Sequence, residues 1–338
     1  MSVLQAITLI KSDDQTDFQY KWRDFVDGGN GYLYGIPHSA RRVVQFHMED
    51  KSMKEIGPDL GDSSWKYMRG IKAGNGNIYC PPFNAHYLLK IIPREEKGQD
   101  AEVQLLEVEQ LNVGYKINWQ EGVLANDGCI YYFPCFGDRI LKLDPNDDDS
   151  ISFVGEKLCS GIVAAVLDGD GYVYVISSTQ IIKFNPAENS VSHIGKDLDG
   201  SNAFIGAVLA DDGNIYAADG RKILKVDTIN QCWTIYDNVI HNCRYNTPCW
   251  GRPVLGDDKC VYFPHCDHVG ILKLNPSTLR TSLIGESFGD KCNKWFGGTL
   301  ASNGFIYYIA VSTDDVLQID SRHINEKVIE MIGKMNIH

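Results

Sequence analysis

Four charged residues occupy one recurring register of this 338-residue chain: Asp24, Arg69, Glu121 and Arg252. Each stands two positions after a large aromatic residue, namely Trp22, Tyr67, Trp119 or Trp250, and the equivalent positions elsewhere are Ala164, Gly206 and Gly297. Charges of both signs at one register admit three readings. They pair with one another, because a charge withdrawn from water needs a partner. Alternatively, Arg69 and Arg252 hold a carboxylate or phosphate through planar forked hydrogen bonds, with Asp24 or Glu121 orienting them. The third reading is that these side chains point elsewhere.

Histidines add proton-transfer chemistry. His38, His86, His265 and His268 lie in the loop stretches "PHSARR", "PFNAHY" and "PHCDHVG", and a sister stretch, "PCFGDR", carries Asp138 and Arg139. An imidazole titrates near neutral pH, so His38, His86 or His265, together with Glu121, is a candidate general acid or base. Asp24, Arg69, Arg252, Asp138, Arg139 and His268 are the candidate ligand-binding set. Taken singly, each loop histidine is read as solvent-exposed or loop-bracing before functional. "HCDH" could supply a transition metal with ligands from one loop, although its spacing matches no established metal signature. "DGDG" at 168–171 and "DPNDDDS" at 144–150 lack the full ligand spacing of a calcium loop. No nucleophile-elbow, zincin, Walker or dinucleotide fingerprint occurs, and the cofactor is left open.

The elements that must position these residues recur seven times. Tyr34, Tyr79, Tyr131, Tyr174, Tyr216, Tyr262 and Tyr307 end the stretches "GNGYLY", "GNGNIY", "NDGCIY", "GDGYVY", "DDGNIY", "DDKCVY" and "SNGFIY", at intervals of 45, 52, 43, 42, 46 and 45 residues. Asn-Gly and Asp-Gly supply the positive φ that tight hairpins require. Twelve residues before each anchor stands Trp22, Tyr67, Trp119, Ile162, Phe204, Trp250 or Trp295, opening a first strand. A third run ("RILKL", "KILKV") and a fourth ("ISFVG", "TSLIG") follow each hairpin. Four short strands per repeat, apolar on both faces and without helical periodicity, predict an all-β radial array spanning 1–338 as one domain.

On these motifs the chain resembles a seven-bladed β-propeller of four-stranded antiparallel blades. The "VLADDGNIY...ILKVD" style is similar to the broad group of lyase-like and lactonase-like propellers, which includes enzymes and binders, with no catalytic set matched residue by residue. The resemblance implies that first strands line a central channel. It also implies that fourth-to-first and second-to-third connections share one face, the candidate functional face, where varied loops sit on a rigid scaffold. Both termini are expected at the last blade. "AITLI" and "KVIEMIG" are rival candidates for one outer strand, and the shared "IG" favours the C-terminal one. Trp65, Tyr67, Trp119, Trp250 and Trp295 are read as blade packing before ligand stacking.

A net charge of -12 opposes attraction to nucleic acid or anionic lipid. The N-terminus lacks a basic leader, and no 18-residue apolar window occurs, so a cytoplasmic protein without a membrane span is expected. Ten cysteines without a framework spacing read as buried free thiols, with Cys243 and Cys249 as a possible loop pair. Two functions follow as expectations. One is a pocket for a small polar, anionic molecule, with elimination, isomerisation or hydrolysis as the chemistry. The other is a protein-interaction scaffold that catalyses nothing.

Overall fold

The computed structural model describes residues 6–10, 21–96, 98–107, 118–136, 139–155, 158, 161–201, 204–220, 222–237, 250–265, 270–285, 295–311 and 315–324. Among these, 28 strands form seven four-stranded antiparallel sheets, the blades of an all-β, seven-bladed propeller, as the repeat predicts. No helix of the described residues is long and apolar enough to cross a membrane. Two compact units divide the chain: Tyr20–Asn202, with blades 1 to 4, and Met1–Gln19 with Ala203–His338, with blades 5 to 7.

Strand β1 (Ile7–Ile10) belongs to blade 7. Blade 1 comprises β2 (Trp22–Asp27), β3 (Tyr32–Pro37), β4 (Val43–His47) and β5 (Met53–Ile56); blade 2 comprises β6 (Ile71–Lys72), β7 (Ile78–Cys80), β8 (Tyr87–Ile92) and β9 (Glu102–Glu107). Blade 3 holds β10 (Asn118–Leu124), β11 (Ile130–Phe136), β12 (Ile140–Asp144) and β13 (Ser150–Val154), and blade 4 holds β14 (Ile162–Leu167), β15 (Val173–Ser177), β16 (Ile181–Asn185) and β17 (Ser190–His193).

Local chemistry explains the repeated hairpin. Every anchor tyrosine is fully buried on the second strand of its blade. In six blades its hydroxyl meets the Asn or Asp four residues earlier, as Tyr131 does with Asp127 at 2.8 Å and Tyr79 with Asn75 at 3.2 Å. The same Asx side chain accepts the N–H two residues on, closing an Asx-turn. Across the sheet, a third-strand lysine faces the tyrosine in blades 2 to 6, for example Lys142 opposite Tyr131.

Within the four-blade unit, neighbouring sheets share cores. Ile71, Ala73, Tyr79 and Leu88 of blade 2 pack on Trp119, Ile130, Tyr132 and Leu141 of blade 3. Gly122 makes this approach possible: a Cβ there would lie 2.4 Å from the Tyr132 ring, whose hydroxyl crosses to donate to the Tyr79 carbonyl at 2.7 Å. The end of the stretch at 93–102, which lengthens the interval between Tyr79 and Tyr131, is fastened to blade 1. Ala101 N–H donates to Gln45 Oε1 at 3.0 Å, and Lys54 pairs with Asp100 at 2.6 Å.

In the other unit, blade 5 holds β18 (Val208–Leu209), β19 (Asn214–Asp219), β20 (Lys222–Asp227) and β21 (Cys232–Tyr236); blade 6 holds β22 (Val254–Leu255), β23 (Val261–Pro264), β24 (Ile271–Asn275) and β25 (Arg280–Ile284). Blade 7 holds β26 (Trp295–Leu300), β27 (Ile306–Ala310) and β28 (Val316–Ile319), completed by β1 with Ile7 opposite Ile319 and Ile10 opposite Val316. The preference for the C-terminal segment is therefore corrected: the outer place belongs to the N-terminal strand, and "KVIEMIG" lies outside the described residues. The physical reason is the turn after β28. Asp320 caps a 3-10 turn at Ser321–His323, and Ser321 Oγ accepts the Asp257 N–H at 3.0 Å. These bonds draw the chain toward blade 6 and leave the β28 edge to β1, whose Ile7 and Leu9 pack on the blade core.

Candidate functional site

The charged register sits on an irregularity the sequence did not reveal. In blades 1, 3, 4 and 7 the pairing of first and second strands shifts just after the opening residue, between Trp22 and Phe25, Trp119 and Glu121, Ile162 and Ala164, and Trp295 and Gly298. Such bulges re-aim the side chains they carry. Asp24 sits in one, buried, and its carboxylate accepts the adjacent Phe25 N–H at 3.0 Å. In blades 2 and 6 the aromatics Tyr67 and Trp250 stand instead at isolated bridges, to Pro82 and His265, ahead of two-residue first strands.

In the four-blade unit the structure brings Arg69 and Glu121 together. Arg69 Nη1 lies 2.7 Å from Glu121 Oε2, with the Glu121 side chain 1% exposed and that of Arg69 23%. Burial pushes the Cys80 thiol well up, and the Asp24 carboxylate raises it further. Burial likewise raises the Tyr132 phenol, against which the Arg69 charge acts. Cys135 is pushed up to about 11, first by burial, with Arg23 opposing and Glu121 adding. These thiols and this phenol are therefore neutral groups.

The loop residues divide. His38 is buried, with Nδ1 3.0 Å from Ser39 Oγ and its ring 4.7 Å from Trp65. His86 and Arg139 are exposed, and the Arg139 carbonyl accepts the Trp119 indole N–H at 3.1 Å. In the three-blade unit His265 is buried edge-on against Trp250, centroids 4.7 Å apart. Arg252 is half-buried; its N–H donates to the Phe296 carbonyl at 2.6 Å, and its stem fills the space where a side chain on Gly206 would stand. Asp138 and His268 lie outside the described residues, as does most of "HCDH". Among the described residues no group of three metal-ligating side chains assembles.

The aromatics at the repeated offset are structural. Trp22, Trp119 and Tyr67 are buried and donate to carbonyls 20 residues on, those of Arg42, Arg139 and Tyr87. Trp65 differs, which corrects its reading as blade packing. It lies two residues ahead of the repeated position, is 45% exposed, and holds φ +63. Its backbone is locked: Lys66 N–H donates to the His38 carbonyl, Phe83 N–H to the Lys66 carbonyl and Asn84 N–H to the Trp65 carbonyl, at 2.8, 2.8 and 2.9 Å. The buried Lys66 ammonium gathers the carbonyls of Ser39, Gly61 and Ser63. Arg23, also absent from the sequence-derived set, places its guanidinium 5.7 Å from the Trp65 ring centroid. The sequence signal for Trp65 was its departure from the repeat; Arg23 had none, because it sits one residue away from the register that was read.

The chain matches no protein-family model and no curated protein sequence. Solved structures do resemble it. A streptogramin B lyase superposes with a TM-score of 0.71 at 15% identity, covering 94% of this chain and 100% of the other. A catalytically inactive virginiamycin B lyase from Staphylococcus aureus with quinupristin gives 0.72 at 14%, covering 92% and 98%. YCF48 bound to D1 peptide gives 0.63 at 9%, covering 94% and 99%. At these identities the likeness is one of fold, shared by propellers described as enzymes and by one described with a bound peptide.

Proposed function

We propose that this chain is a binding propeller that takes a small anionic molecule on the face of blades 1 to 3 that carries the fourth-to-first and second-to-third connections, and performs no acid–base chemistry on it. The observation that carries this reading is the Arg69–Glu121 ion pair at 2.7 Å, with its carboxylate buried. A general base has to reach the proton it removes, and a guanidinium that receives an anion has to present its fork. Glu121 does neither, and Arg69 is turned toward Glu121. The buried imidazole His38 is engaged with Ser39 and Trp65, so it braces its loop. Arg23, half-buried on β2, lays its guanidinium over the exposed Trp65 indole.

A thermal-shift screen of the full chain against phosphate, citrate, malonate and benzoate tests this, with each stabilising anion recovered and checked for chemical change. Ligands that bind the folded state alone raise the midpoint by mass action. The expected result is stabilisation by an anion recovered intact, lost in Arg23→Gln and retained in Arg69→Ala against a lower starting midpoint. Turnover of the anion would overturn the reading. So would stabilisation that survives Arg23→Gln but vanishes in Arg69→Ala.

A further inference from the structure

We infer that the molecule is an aromatic carboxylate, whose flat ring enters a slot between Trp65 and Phe136 floored by Phe83 while its carboxylate meets Arg23. This rests on the reading just given and names the ligand class for the same face.

The slot is built from blades 2 and 3: Trp65 lies in the connection that leads into β6, Phe83 between β7 and β8, and Phe136 at the end of β11. Phe83 is buried and joins the two walls: its ring centroid lies 6.0 Å from Trp65 at 32° and 6.5 Å from Phe136 at 67°. Met68 and Cys135 pack with Phe83 as a small apolar cluster separate from the blade cores, so sulfur and ring together make the floor. Both walls are exposed, Trp65 by 45% and Phe136 by 60%. Neither ring is needed to fill a blade core, and two large rings held out at one place mark a binding surface.

Backbone conformation supports the same conclusion. A bulky residue at φ +63 is strained and persists only where its surroundings impose it. Here three backbone hydrogen bonds and the buried Lys66 ammonium impose it, and the consequence is an indole turned outward. Charge selects the ligand further. Arg23 lies against the Trp65 ring, its guanidinium 5.7 Å from the ring centroid, so its cation borders the slot along that wall. A guanidinium fork matches a carboxylate, and a ring offset against tilted aromatic faces gains over an aliphatic body of equal size. The neutral Cys135 thiol, protonated at ordinary pH, makes the floor a surface for contact and leaves it a poor nucleophile.

Isothermal titration of the full chain with indole-3-carboxylate, cyclohexanecarboxylate and indole tests the slot, alongside Trp65→Gly, Phe136→Ala and Arg23→Gln. Glycine accepts the positive φ, so Trp65→Gly removes the ring while sparing the backbone. Indole-3-carboxylate is expected to bind at least about ten-fold more tightly than either control. Trp65→Gly and Phe136→Ala should each weaken it about ten-fold, with the urea midpoint of Trp65→Gly unchanged or higher. Arg23→Gln should erase its advantage over neutral indole. Equal binding of cyclohexanecarboxylate, or wild-type affinity in Trp65→Gly, would overturn the aromatic slot while leaving the anion-binding reading intact. Failure of every anion in both panels to bind would overturn both.

Discussion

Arg69 and Glu121, 52 residues apart in the chain, meet as a 2.7 Å ion pair between blades 2 and 3. Of the three fates open to the charged register, internal pairing is the one this pair adopts. Arg69→Ala leaves the carboxylate buried after its guanidinium is gone, and is expected to lower stability by about 3 kcal/mol. Arg69→Met with Glu121→Leu should recover most of that loss, because no charge is then withdrawn from water. Urea denaturation of the two variants checks it, and an unaltered midpoint in Arg69→Ala would show that the pair does not clamp the blades.

The Tyr–Asx bond is the unit from which the blades are repeated. Tyr131→Phe and Tyr216→Phe each remove a hydroxyl donating to a carboxylate, of Asp127 at 2.8 Å and of Asp212 at 2.7 Å. Each should cost about 1.5 kcal/mol. Because the two residues lie in different blades with no shared partner, the double variant should lose the sum of the two. Chemical denaturation of the three proteins measures the additivity, and a double variant no worse than either single would contradict it.

Alkaline pH should unfold the protein through the same tyrosines. Burial raises Tyr34 to about 12, partly opposed by Asn30, and burial followed by the Asp127 carboxylate raises Tyr131 to about 12. The folded state thus holds these protons more tightly than the unfolded chain, whose phenols titrate near 10. Their stabilisation is intact below pH 10 and is lost as pH climbs through 12. Absorbance at 295 nm should lag the ordinary phenol curve and rise together with loss of the β-sheet circular dichroism signal. Ionisation of all the tyrosines near 10 with the sheet intact would be the contrary result.

Thiol labelling should separate the cysteines by burial. Cys80, Cys129, Cys135 and Cys260 are buried free thiols, and Cys232 is exposed. Burial pushes the Cys129 and Cys135 thiols up to about 11, which keeps them from forming thiolate at neutral pH. In the native protein iodoacetamide should modify Cys232 within minutes and reach the other four only on adding denaturant, as peptide mass mapping would show. Rapid modification of Cys80 would mean that blade 2 opens.

Much of the architecture could be read before any coordinates. "NDGCIY" encodes a turn with positive φ, a two-residue periodicity and a tyrosine within reach of its own Asx, all interactions over a few residues, and so the same structure forms wherever the pattern recurs. The anchor tyrosines accordingly all lie buried on second strands. The site was legible only as a region. Arg69 and Glu121 do meet, but nothing local marks Arg23 or the exposed Phe136, and the backbone of Trp65 separates it from the packing aromatics that its spacing resembles.

By itself the sequence determined the number of blades, their four strands and the residues at the centre of each, because turn chemistry and hydrophobic alternation act between near neighbours. Tertiary structure decided which strand borders β28, that Arg69 turns to Glu121, and that Trp65 faces outward. Each of these depends on long-range competition: two segments suit one sheet edge, a bulge rotates a charged side chain, and carbonyls from distant loops converge on one buried ammonium. Such outcomes are set by the summed energy of packing and desolvation, which no local spacing records.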